Sequence, residues 1–208
     1  MVEIPIEKLW NSKDETQWKN ELNNYYSRIK PENLEIEEEI IKFNTSTFEE
    51  MSPEEWYTFL LDKYFKWKYT QANRYASTTK HLKKYKEENN LEELNLIKHE
   101  FIEIDKANIK ASIETVSKIK GIGPIGASGL LALLYPKLYG TVDQFVVKAL
   151  MKTKKYPELK LIDPENININ QTEYVIIILK KKADDLNKLF STDFWTPRKI
   201  DMILWSFR

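Results

Sequence analysis

Gly121, Gly123 and Gly126 fall within six residues, with Pro124 among them. Asp143 then stands alone between two apolar runs. Two glycines flanking Ile122 let the backbone approach a phosphate closely. The free N–H groups at the start of a following helix would point at that anion. Such contacts grip a nucleic-acid backbone without reading its bases. Asp143, just ahead of FVVKAL, is suited to capping a helix over 144–151.

Other phosphate motifs fail on context. Gly121-Ile-Gly123-Pro-Ile-Gly126 matches the dinucleotide fingerprint in form, and Asp143 follows about 20 residues on. That fingerprint must follow a buried strand, whereas ASIETVSKIK is helical in period and no βαβ unit follows. A Walker loop is excluded because no Lys-Ser/Thr pair stands at the required place. His81 and His99 lie 18 residues apart with no second ligand at helical spacing, so no metal site is expected.

The elements around these residues read as helices. PEEWYTFLLDKYF places Trp56, Phe59, Leu60 and Tyr64 on one face, with Pro53 at the first turn and a capping box from Ser52 to Glu55. Leu91, Leu94, Ile97 and Phe101 carry a second helical pattern. Ile109, Ile113, Val116 and Ile119 carry a third, ending near Lys120. Gly121 stands where a helix end needs a left-handed residue, and Pro124 where the next helix begins. Ile122 points inward, and Gly126, Ala127 and Gly129 let the two helices approach closely. TVDQFVVKALM, residues 172–190 and TPRKIDMILWSF make three more. VIIIL could pass for a buried strand, but no second strand is there to pair with it. Residues 153–171 are the weakest-structured interior stretch. The class is all-α.

The chain has 208 residues with six Trp, eleven Tyr and nine Phe, enough for a real core. It has no cysteine, which excludes disulfides, thiolate zinc sites and cysteine-held iron–sulfur clusters. No apolar run reaches about 18 residues, so no membrane span is expected. The N-terminus lacks the form of a signal peptide. A soluble cytoplasmic monomer with no cofactor is the expectation. Net charge is zero, but residues 1–50 carry six Lys/Arg against twelve Asp/Glu, and the remainder carries the reverse excess. Residues 65–86 hold seven Lys/Arg and no acid, a pattern suited to a polyanion partner.

The series Ile113, Val116, Ile119, Gly121, Gly123 and Ala127 resembles the helix-hairpin-helix motif, over a hairpin at 109–134. The following LYGTVDQFVVKAL, with Asp143 22 residues after Gly121 and Val146 and Lys148 beyond it, is similar to the helix-hairpin-helix DNA glycosylase superfamily. The match is strong over about 40 residues. The resemblance implies two helical subdomains with a cleft between them, double-stranded DNA as partner, and excision of a flipped, damaged or modified base. It divides the chain into an acidic N-terminal helical segment, 1–50, packing on a core domain, 51–208.

The resemblance makes Asp143 the catalytic carboxylate. It would stabilise the oxocarbenium-like charge that builds as the N-glycosidic bond breaks, and orient the attacking water. Ile125 stands where bifunctional members carry a Schiff-base lysine, so hydrolysis alone is implied. Phe145 departs from a position that is often polar in relatives, and Lys148 replaces a frequent arginine. Gly121, Ile122, Gly123, Lys120, Lys148, Lys66, Lys68 and Arg74 are the candidate DNA-backbone contacts. Lys80, Lys152, Lys154 and Lys155 add to them. Trp67, Tyr69, Gln71 and Asn73 have the types needed for a base pocket or a wedge in the duplex. The alternative is a non-catalytic helix-hairpin-helix protein that only binds DNA or a partner.

Overall fold

The structure, a computed structural model, describes residues 4–42 and 45–208. Residues 1–3 and 43–44 of the acidic N-terminal segment lie outside the described residues. Every regular element among the described residues is helical, as the periodicity requires. No described helix is long and apolar enough to cross a membrane.

In chain order the helices are α1 (Ile6–Trp10), α2 (Glu15–Arg28), α3 (Pro31–Ile41), α4 (Thr45–Glu50), α5 (Pro53–Phe59), α6 (Phe65–Lys68), α7 (Ala72–Glu87), α8 (Leu91–Glu103), α9 (Ile109–Ser117), α10 (Pro124–Leu134), α11 (Gln144–Lys152), α12 (Ile169–Phe190) and α13 (Pro197–Ser206). They form two compact units. One is built from Met1–Ile29 and Tyr135–Arg208, the other from Lys30–Leu134. The first fifty residues are therefore divided between the two units.

In the discontinuous unit, α13 packs against α2, α11 and α12. Pro197 begins α13, and the Thr196 hydroxyl accepts the Lys199 N–H at its start. Trp18 touches Trp10 and Trp195 at ring-centroid distances of 6.0 and 6.1 Å. This aromatic seam ties α1 and α2 to the approach to α13. The VIIIL segment lies inside α12, where Asn168 and Gln171 form a capping box. Residues 153–171 hold only a short 3-10 turn, Pro157–Leu161, among turns and the start of α12.

In the continuous unit, Ser52 and Glu55 cap α5 as their spacing predicts. Trp56, Phe59, Leu60 and Tyr64 are all buried. A π turn, Leu60–Tyr64, joins α5 to α6. It shifts the helical register so that Tyr64 and Phe65, adjacent in sequence, are both buried with their rings at 88°. α9 ends at Ser117, earlier than the apolar period suggests. The N–H groups of Lys118, Ile119 and Ile122 each reach back three residues, to the Thr115, Val116 and Ile119 carbonyls. Those tighter bonds spend the last apolar positions on a turn instead of a helix.

Candidate functional site

The turn between α9 and α10 is anchored on one side and open on the other. Gly121 has φ of +95°. A Cβ on it would sit 2.6 Å from the Thr78 carbonyl oxygen of α7. Conformation and packing both demand glycine there. Tyr69 donates its hydroxyl to the Gly121 carbonyl at 3.3 Å, and the Lys120 N–H reaches the Tyr85 hydroxyl at 3.1 Å. Ile122 is buried, as its place between the glycines predicts.

Gly123 is the contrast. It is exposed, its φ is not positive, and a Cβ on it would meet nothing within 4 Å. Neither packing nor backbone requires a glycine at that position. Among the described residues, the N–H groups of Gly123, Ile125 and Gly126 have no hydrogen-bond acceptor. Pro124 begins the helix and has no N–H to satisfy. This arrangement can accept an anion or a phosphate oxygen.

The small residues of α10 seat phenol rings. A Cβ on Gly126 would stand 2.7 Å from the Tyr69 Oη, and one on Gly129 3.0 Å from the Tyr64 Oη. Tyr64 is fully buried and donates to the Gly126 carbonyl. Burial pushes both phenols up, Tyr69 to about 12, with the Arg74 charge opposing the shift at Tyr69. The close approach expected between α9 and α10 at these glycines is therefore made largely to Tyr64, Lys68 and Tyr69. A phenol hydroxyl needs the space that a missing side chain leaves.

Asp143 begins α11 from an extended conformation. One carboxylate oxygen, Oδ1, accepts both the Phe145 N–H at 2.8 Å and the Val146 N–H at 2.9 Å. The residue is partly exposed, and Oδ2 accepts no hydrogen bond among the described residues. The cap holds the group while one oxygen stays available to a ligand, a water or a developing cation. Phe145 is half-buried, and Lys148 reaches Gln144 at 3.0 Å and Glu165 at 3.8 Å.

A buried network that the sequence reading missed lies behind this segment. Asp201, on α13, accepts the Thr141 N–H at 2.5 Å and pairs with Arg198. Arg198 in turn reaches the Tyr25 hydroxyl at 3.0 Å. Gly140, just upstream, runs so close to α12 and α13 that a Cβ would lie 2.6 Å from Leu179 and 2.7 Å from the Pro197 carbonyl. The one available signal was Arg198 and Asp201, opposite charges three residues apart in PRKIDMILW, where Lys199 is the only other charged residue.

The candidate cations divide into paired and unpaired. Lys120 stands 3.3 Å from both Glu88 and Glu93 and lies over the Tyr85 ring at 4.4 Å. Its ammonium is held up by those two carboxylates against a desolvation that would lower it. Lys66 pairs with Asp62 at 3.0 Å and Lys154 with Glu7 at 3.0 Å. Lys68 is half-buried beside Gly129 and Trp67. Arg74 and Lys80 are exposed and have no ion-pair partner among the described residues. The same holds for Lys152 and Lys155.

Of the pocket candidates, Trp67 is buried with its indole N–H 3.3 Å from Glu37. Tyr69 is half-buried against the turn, its ring 5.3 Å from Phe65. Gln71 and Asn73 are exposed at the start of α7. Trp67 thus faces the interior, and Gln71 and Asn73 face solvent. His81 and His99 are exposed, and no group of His, Asp or Glu that could hold a metal ion is found among the described residues.

Comparison with protein-family models, with curated proteins and with solved structures finds no match to the chain.

Proposed function

We propose that the protein is a monofunctional DNA glycosylase of the helix-hairpin-helix type, hydrolysing the N-glycosidic bond of a flipped, damaged or modified base in double-stranded DNA. The observation that carries the reading is the division of labour within Asp143. Oδ1 holds the cap of α11 and Oδ2 is left for chemistry. As the bond from the sugar to the base breaks, positive charge builds on the sugar, and an immobile carboxylate stabilises it. Water then adds to the sugar, and its proton passes to the carboxylate or to solvent. The base leaves with the bonding electron pair. Ile125 offers no amine, so no Schiff base forms there and the DNA backbone stays intact.

The turn at Gly121 and Gly123 supports the DNA half of the reading. A glycine at 123 that the fold does not need, with the N–H groups of Gly123 and Ile125 without acceptors among the described residues, suits a phosphate oxygen. Arg74, exposed and without an ion-pair partner among the described residues, would add a charge contact, and Gln71 and Asn73, exposed at the start of α7, would serve as wedge or base readers, while Trp67 is buried in the core. One specific observation favours a second reading, DNA binding without catalysis. Phe145 gives Asp143 no polar side chain two residues on.

The test is base release from duplexes that carry a panel of damaged and modified bases, with alkali treatment to cut abasic sites. Cleavage by wild type after alkali, absent in Asp143→Asn, is the expected result. Equal cleavage by both would remove Asp143 from the mechanism. Salt-sensitive DNA binding without base release would favour the second reading.

A further inference from the structure

The outer face of α7 carries more charge than the proposed site uses. Arg74, Ser77, Lys80, His81 and Lys84 are all exposed. At 100° per residue they fall within about 120° of one another on one stripe. Arg74, Lys80 and Lys84 have no ion-pair partner among the described residues. The only acid on α7 is Glu87, in its last turn.

The stripe adjoins the turn. The Thr78 carbonyl is the atom against which Gly121 rests. Arg74 and His81 are the i−4 and i+3 neighbours of Thr78, so they flank that contact on the helix surface. The Arg74 charge acts on the Tyr69 phenol, whose hydroxyl is bonded to the Gly121 carbonyl. Tyr85, two turns beyond Thr78 on α7, holds the Lys120 N–H. The turn is thus joined to α7 at the Thr78 carbonyl and the Tyr85 hydroxyl.

The lysines nearest the turn are neutralised. Lys120 is held by Glu88 and Glu93, and Lys118 pairs with Glu100 at 2.5 Å. The unpaired positive charge of this region therefore lies on α7.

We propose that the α7 stripe of Arg74, Lys80 and Lys84 continues the Gly123 turn as a single phosphate-binding track for one strand of a nucleic acid. From residue 74 to residue 84 the helix rises about 15 Å, which matches the axial rise of about four nucleotides of one strand of a duplex at about 3.4 Å each. Two features favour a phosphodiester strand over an anionic membrane. Leu82 and Tyr85 are turned into the protein, and the stripe presents no large apolar side chain that could enter a bilayer. The turn's N–H groups suit phosphate oxygens. The proposal rests on the DNA-binding half of the reading above and not on catalysis by Asp143.

The experiment is fluorescence anisotropy with an undamaged mixed-sequence 20-base-pair duplex, titrated at several salt concentrations. Wild type is compared with Arg74→Ala/Lys80→Ala/Lys84→Ala, and with a control of equal charge change, Lys13→Ala/Lys160→Ala/Lys188→Ala. Circular dichroism melting checks that each variant folds. Each lost phosphate contact flattens the slope of log affinity against log salt by about 0.9, so the α7 triple variant should lose about 2.7. The control should keep its slope. Gly123→Glu should weaken binding further in either background.

Equal slopes for the α7 triple variant and wild type would overturn the proposal. So would failure of wild type to bind the duplex, or binding to phosphatidylserine vesicles in its place. Binding that depends on α7, with no base released from any damaged duplex, would leave the track standing and remove the glycosylase reading.

Discussion

The Thr78 carbonyl oxygen of α7 occupies the place where a side chain on Gly121 would begin, 2.6 Å from an ideal Cβ. Gly123, two residues on, faces open space. The two glycines of the turn thus have different reasons to be glycine, and mutation should separate them.

Gly121→Ala should destabilise the protein by about 2 kcal/mol, because it adds a clash with backbone to a conformation costly for any other residue. At this chain length that is a fall in Tm of about 4–8 °C. Gly123→Ala should leave Tm within about 1 °C, because nothing is met and no positive φ is needed. Thermal melting of the pair checks this. A similar loss in both would mean that the open face at 123 is not open.

Asp143→Ala and Asp143→Asn should part company. Alanine cannot accept the Phe145 and Val146 N–H groups, and should cost about 1 kcal/mol. Asparagine is as good a cap and should keep stability near wild type. Base release should be lost in both. Urea denaturation beside the excision assay reads the two roles apart. Normal base release by the stable Asn variant would leave Asp143 with the capping role alone.

Asp201→Ala should be more damaging than either. Arg198 is 7% exposed and Asp201 1% exposed, so removing the carboxylate leaves a buried guanidinium without its main counter-charge. It also frees the Thr141 N–H. Breaking such a pair costs roughly 3–5 kcal/mol. Chemical denaturation at neutral pH measures it. A loss below about 1 kcal/mol would show that the network is not needed to hold the segment before Asp143.

Lys182 offers a pH test. Its ammonium donates to the Trp10 carbonyl at 2.8 Å and lies 4.7 Å from the Trp10 ring and 5.2 Å from the Trp18 ring. Desolvation brings it down from 10.5 to about 8, and nearby Lys155 works in the same direction, while Asp185 opposes. The folded state therefore releases this proton before the unfolded state does. Between those two values the unfolded chain binds more protons, so stability rises with pH. Below the lower value the cost of burying the charge is present in full. Wild type should gain stability relative to Lys182→Met between about pH 7.5 and pH 10, read from urea midpoints. A flat difference would mean that the two indole rings hold the charge as well as water does.

The helices were legible because an apolar period of 3.6 and a few capping residues act locally. Ser52 with Glu55, Pro124, Asp143 and Pro197 each mark a helix start that the structure has, and each works through neighbours within three residues. The buried face of PEEWYTFLLDKYF was legible for the same reason, although the π turn within it was not. The need for glycine at 121 was legible as a backbone conformation. The clash that reinforces it comes from α7, more than forty residues upstream.

What the sequence by itself determined is the all-helical class, the turn between α9 and α10, and the cap that Asp143 forms. Tertiary structure alone decided that Lys118 and Lys120 are neutralised, which glycines seat Tyr64 and Tyr69, and that Arg198 and Asp201 stand behind Thr141. The physical reason is range. Caps and turns are settled by hydrogen bonds between near neighbours in the chain. The pairing of Lys120 with Glu88 and Glu93 and the close packing at the glycines depend on side chains that meet only once distant segments have been brought together.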